Sequence, residues 1–142
     1  MKSRILIAPT MLASIAWFCA CAGPLPRGKD GVTAIQFQDM VVPAGLCLID
    51  DAHQSHSVEA ASWRYGRFVY TGMVKPAEAA SYVRQRMPLH AWQCVRDVTT
   101  PGDRSSTTQR FERAHYVAEY CYTRIEGQTQ LVIEYDTDYT PR

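Results

Sequence analysis

The sequence predicts an α+β domain: a small antiparallel sheet of about five to six strands, covered on one face by a single helix. Three observations carry this expectation. Apolar residues follow strand spacing on both sides of one segment, residues 75–87, whose spacing is helical. That segment sits between Gly72 and Pro88, residues that punctuate secondary structure. After it, turn clusters recur at hairpin spacing. One helix laid over antiparallel strands buries both apolar surfaces in two layers.

The elements follow in order. Residues 32–42, VTAIQFQDMVV, and 44–50, AGLCLID, hold short apolar runs around Pro43 and read as weak strands. Residues 50–61, DDAHQSHSVEAA, are polar and without a strong period, so they read as a loop. Trp63 to Thr71 is a strand with aromatic residues on both faces, which suits a central or partly covered position. From Lys75 to Met87 the apolar residues Ala80, Val83 and Met87 recur at three and four. Pro76 fits the first helical turn. Glu78 near the start, and Arg84 and Arg86 near the end, match the helix dipole. Pro88 stops the helix. Trp92 to Val98 is a strand, and 99–106 is a turn cluster around Pro101-Gly102-Asp103. Thr107 to Arg113 and His115 to Ile125 follow, as two strands or one long bent one. Glu126-Gly127 makes a tight hairpin to a last strand, Thr129 to Asp136.

Composition bounds the rest. The chain has 142 residues, a length for one domain, and 46% hydrophobic against 20% charged residues marks it as globular. Fifteen Lys and Arg face fourteen Asp and Glu. Without Lys2 and Arg4, which fall in the leader below, thirteen cations face fourteen anions. A nucleic-acid partner would want a basic footprint, which this balance excludes.

Residues 1–23 read as an address. Lys2 and Arg4 precede Ile5 to Phe18, fourteen residues without charge. That run is short of the roughly 20 residues a membrane span needs and fits the core of an export signal. The chain therefore divides into an export signal over 1–20, a tether over 21–35 and a single domain over 36–142. The tether, with Pro24, Pro26, Gly28 and Gly31, is rich in Pro and Gly. Three processing routes remain open: lipid attachment at Cys21, simple cleavage after Ala20-Cys21-Ala22, or an uncleaved anchor.

Cys47, Cys94 and Cys121 remain in the body. Outside the cytosol three thiols suggest one disulfide among them, with the pairing open. The alternative is three small buried hydrophobes. No CxxC occurs there, so a thioredoxin-like redox site is not expected.

The leader around Cys21 resembles the bacterial lipoprotein signal, in which a cysteine is acylated and becomes the first residue. From about Trp63 to Tyr135 the layout also resembles small bacterial envelope lipoproteins of unknown function. The matching pieces are Tyr70-Thr71-Gly72 ending a strand, Met87-Pro88 near the helix end, Trp92 opening the next strand, and Phe111-Glu112-Arg113 in the final meander. Ala91 stands where the layout would have Gly. The resemblance implies a lipid-anchored envelope protein facing the periplasm. With Ala22 rather than Asp after the anchor cysteine, it implies the outer membrane. It implies a non-enzymatic binding or structural role, with the membrane and another envelope component as partners. It brings no catalytic residue and no cofactor.

Two other function classes have residues to argue from. Asp50, Asp51, His53 and His56 are metal-binding residue types within seven positions, the basis for a metal-assisted hydrolase. A catalytic zinc needs a third protein ligand and second-shell support, which no spacing here supplies. A pocket between helix and sheet would make a small apolar-ligand carrier. Tyr116, Tyr120 and Tyr122 share one strand face, either as an exposed binding surface or as a layer beneath the helix.

Overall fold

The structure is a computed structural model and describes residues 36–61, 63–102 and 105–137. The export signal, Cys21 and the tether lie outside the described residues. Seven strands and one helix form β1 (Leu46–Leu48), β2 (His56–Ala60), β3 (Trp63–Gly72), α1 (Pro76–Arg86), β4 (Gln93–Thr100), β5 (Ser106–Arg113), β6 (Tyr116–Ile125) and β7 (Gln128–Thr137). A 3₁₀ turn, Met87–His90, continues α1. All seven strands join one antiparallel sheet in the order β1-β3-β7-β6-β5-β4, with β2 also on β3.

β1 and β2 are two pieces of one edge strand. Leu46 lies opposite Gly72 and Leu48 opposite Tyr70, while His56 lies opposite Arg67 and Ala60 opposite Trp63. Between them the chain leaves the ladder in a turn. Asp51 closes it: its carbonyl accepts the N–H groups of Gln54 and Ser55, and its carboxylate accepts that of His53. The ladder stays satisfied across the gap. Ile49 N–H donates to the Val69 carbonyl at 2.8 Å, and Val69 N–H donates to the Ser55 hydroxyl at 3.0 Å. Ser55 is buried, so its oxygen replaces a backbone acceptor that the excursion removed. β2 falls inside the stretch read as loop. Its side chains are mostly exposed, so no apolar alternation marks it.

The hairpins follow local turn chemistry. Ile125 pairs with Gln128, with Glu126 at φ 50° and Gly127 at φ 81°, both in the left-handed region that a two-residue turn of this kind demands. Arg113 pairs with Tyr116 across Ala114-His115, which makes β5 and β6 separate strands. Ala91 holds φ 62°, the conformation Gly would adopt without strain. At β3's end, a Cβ on Gly72 would lie 2.0 Å from the Gly45 carbonyl oxygen, so only glycine permits β1 to close there.

The core lies on one face of the sheet. Phe68 and Tyr70 from β3, Phe111 from β5, Ala118, Tyr120 and Tyr122 from β6, and Leu131, Ile133 and Tyr135 from β7 all point into it. Ala79, Ala80 and Val83 of α1, then Met87 and Trp92, cover part of this layer. The α+β expectation, a sheet of five to six strands roofed by one helix, is corrected here. Fifty-four residues are in strands against fifteen in helical turns, a β-dominated fold. The reason is reach. An eleven-residue helix is about 16 Å long, and six strands side by side span about 24 Å. α1 packs on β5 and β6. The irregular segment 36–44, read as strand, supplies further cover through Phe37, Met40 and Val41.

The other face is polar. Arg67 pairs with Glu134 and Arg110 with Glu119 across neighbouring strands, and Arg110 also pairs with Glu112 along β5. The outer strand β4 is blunted as an edge by a register shift between Cys94 and Arg96 and by Asp97, which turns back to pair with Arg84.

Candidate functional site

Where the segment before β1 meets the sheet, a cleft of about 650 Å³ opens, lined by Gln36, Phe37, Gln38, Asp39, Ser57, Glu59, Arg64 and Arg113. Its volume lies within the usual range of small-molecule sites, roughly 300–1,000 Å³. Asp39 organises one wall. Its carboxylate pairs with Arg113, lies 3.8 Å from Nη1 of Arg64 and accepts the Tyr135 hydroxyl at 3.4 Å. Its backbone carbonyl accepts the Trp92 indole N–H at 2.9 Å. Asp39 Oδ1 itself accepts no hydrogen bond within the described residues.

Both guanidiniums are held by aromatic rings. Arg64 lies 5.5 Å from the Phe37 ring centre and 5.7 Å from that of Tyr116. Arg113 lies 4.9 Å from Trp92 and 5.8 Å from Tyr116. A guanidinium stacked this way presents its donors in a fixed plane. Arg64 also donates Nε–H to Glu59 at 2.7 Å, and its backbone N–H goes to the Thr137 hydroxyl. Partial burial works against the Arg64 charge, but the Tyr135 hydroxyl, Glu59 and Asp39 outweigh it and raise its pKa. Burial, reinforced by Asp39, pushes Tyr135 up to about 12 against the pull of Arg64 and Arg113.

Of the residues lining the cleft, the sequence singled out Arg113 alone. Asp39, Arg64 and Arg113 are separated by 25 to 74 positions, and only the pairing of strands brings them together. Arg113 closes the Phe111-Glu112-Arg113 piece, the one trace of the site in the sequence pattern.

The residues singled out from sequence fall elsewhere. Asp50 and Asp51 lie in the excursion between β1 and β2, His53 is exposed there, and His56 stacks against Tyr65 at 5.6 Å. Asp51 caps its own turn. Among the described residues no three His, Cys, Asp or Glu side chains gather as a metal site. Tyr120 and Tyr122 are fully buried, and Tyr116 packs against the core. Tyr120 and Tyr122 therefore belong to the layer beneath the helix, while half-buried Tyr116 faces Arg64 and Arg113 at the cleft. The Tyr120 hydroxyl donates to Met87 sulfur at 3.5 Å, and that of Tyr122 to the buried Gln109 at 3.2 Å. Burial raises the pKa of both phenols, as it does that of Tyr70. These side chains, with Val83 and Met87, fill the space under the helix.

No disulfide joins Cys47, Cys94 and Cys121 in the structure. Topology explains this. Cys47 on β1 and Cys121 on β6 share the polar face but lie three strand spacings apart, about 14 Å. Cys94 on β4 lies opposite Phe111 and so projects from the other face. A disulfide needs Cα atoms within about 7 Å. Among the described residues no helix is long and apolar enough to cross a membrane.

Compared with protein families, curated proteins and solved structures, the chain matches none of them.

Proposed function

We propose that the chain is an exported envelope lipoprotein, held to a membrane through Cys21, whose domain acts by binding and not by catalysis. The carrying observation is the leader: Lys2 and Arg4, an uncharged run over 5–18, then Cys21 and a Pro- and Gly-rich stretch. The domain geometry supports a binding role. The cleft is lined by Gln36 to Asp39, which follow the stretch read as a tether in the sequence. Tethering raises the local concentration of such a cleft near envelope components without any new contact. The outer membrane is the membrane this reading favours, from Ala22 after the anchor cysteine. Among the described residues Asp50, Asp51, His53 and His56 form no cluster of three metal-binding side chains, and Tyr120, Tyr122, Val83 and Met87 fill the space under the helix.

The intact mass of the membrane-extracted protein tests this. The expected product begins at Cys21 and carries acyl mass, while the Cys21→Ser form carries none. A mature N-terminus at Gly23 with no added mass overturns it.

A further inference from the structure

Resting on the binding role just proposed, we infer that the cleft takes a neutral polyhydroxyl ligand, a saccharide, and not an ion. The charges at the cleft cancel: Arg64 and Arg113 stand against Asp39 and Glu59. They are also engaged with one another, Arg113 with Asp39 and Arg64 with Glu59. An incoming anion would add a third negative charge beside Asp39 and Glu59, and an incoming cation a third positive charge beside Arg64 and Arg113. Either leaves a net charge uncompensated in a partly desolvated wall. A neutral ligand leaves the balance unchanged.

The hydrogen-bonding capacity left over is of both kinds. Arg64 engages Glu59 through Nε, and its Nη1 stands 3.8 Å from Asp39 Oδ1, beyond hydrogen-bond reach. Those of its N–H groups that neither Glu59 nor the Tyr135 hydroxyl engages are donors at the cleft. Glu59 is more than half exposed and keeps a second carboxylate oxygen as an acceptor. Gln38 is exposed and offers one donor group and one acceptor. By contrast Gln36 is engaged internally, donating to the Met40 carbonyl and accepting from Tyr70. Hydroxyl groups both donate and accept, so adjacent hydroxyls can satisfy a wall on which donors and acceptors alternate. A carboxylate only accepts, and an ammonium only donates. The rings of Phe37 and Tyr116 fix the Arg64 plane in advance, which lowers the ordering cost of binding.

The test titrates the extracted mature chain, in a detergent without sugar headgroups, with chitotetraose and maltotetraose. Inorganic phosphate and citrate are titrated separately. Nitrogen–proton NMR follows Arg64 Nε–H and the Gln38 side-chain amide. The expected result is saturable movement of both signals with a neutral tetrasaccharide and none with the anions. Gln38→Ala, at an exposed position, should weaken that binding by about tenfold, near 1.4 kcal/mol, while leaving the rest of the spectrum in place. Tighter binding of tetramer than monomer assigns the ligand to a glycan chain, and equal binding assigns it to a free sugar. Movement with phosphate or citrate alone overturns the saccharide while keeping a binding cleft. Silence to every probe, or a Gln38→Ala form that binds as well as the parent, overturns the saccharide assignment. The mass of the Cys21 product is untouched by either outcome.

Discussion

Gln109→Leu is the sharpest probe of how α1 is held to the sheet. Gln109 is fully buried on β5 at the helix interface. Its amide donates to the Ala80 carbonyl at 3.2 Å and to Asp97 at 2.9 Å, and its oxygen accepts the Tyr122 hydroxyl at 3.2 Å. Leucine keeps most of the volume and removes all three bonds. The dominant cost is the Tyr122 hydroxyl, fully buried and left without its acceptor, about 1–3 kcal/mol. Asp97 keeps Arg84, and Ala80 keeps its helical environment, so together these add about 1 kcal/mol. The expected loss is about 3 kcal/mol, which for a domain of this size lowers Tm by about 10–20 °C. Removing the stranded hydroxyl should recover part of it. Gln109→Leu with Tyr122→Phe replaces both partners by apolar groups and should regain about 1–2 kcal/mol over the single change. Urea denaturation followed by circular dichroism, with unchanged slope, measures both differences. A leucine variant within about 0.5 kcal/mol of the parent, or a double variant no more stable than the single one, refutes the reasoning.

Other outcomes follow from single features. Gly72→Ala should cost more than about 2 kcal/mol and expose β1 amides to hydrogen exchange, because its Cβ would sit 2.0 Å from a backbone oxygen that cannot swing aside. Ala91→Gly should stabilise by about 0.5–1 kcal/mol in thermal melts, since it relieves a left-handed alanine at φ 62° for a smaller entropic cost. Tyr70, Tyr120, Tyr122 and Tyr135 have pKa values raised by burial. The folded state then keeps protons that the unfolded chain releases near pH 10, so the stability they contribute is complete below about pH 10 and falls as pH rises above it. Tyrosinate absorbance from these four should appear together with loss of structure, and their ionisation in a fully folded sample near pH 10 would contradict it. Iodoacetamide should add to all three body cysteines without prior reduction, Cys121 slowest because it is half-buried, and an adduct-free pair in intact mass would reveal a bridge.

Sequence by itself determined the features set by neighbours along the chain. The helix over 76–86 was legible because Pro76 opens it, its apolar residues recur at three and four, and its charges follow the dipole. The Glu126-Gly127 hairpin was legible because a two-residue turn demands left-handed residues at those two places. Strands β3 to β7 could be found from their alternation to within a residue or two. The fold class could not. Apolar spacing in 36–42 suits a strand as well as the irregular cover it forms, and only the shortfall between helix length and sheet width decides between them. β2 escaped because exposed side chains carry no pattern, and its pairing comes from β3. The tyrosines of β6 could face inward or outward by alternation alone, and the register against β7 placed them inside. The cleft was the least legible of all. Asp39, Arg64 and Arg113 meet only after β3, β5 and the entering segment have docked, and no local rule joins charges so far apart in sequence.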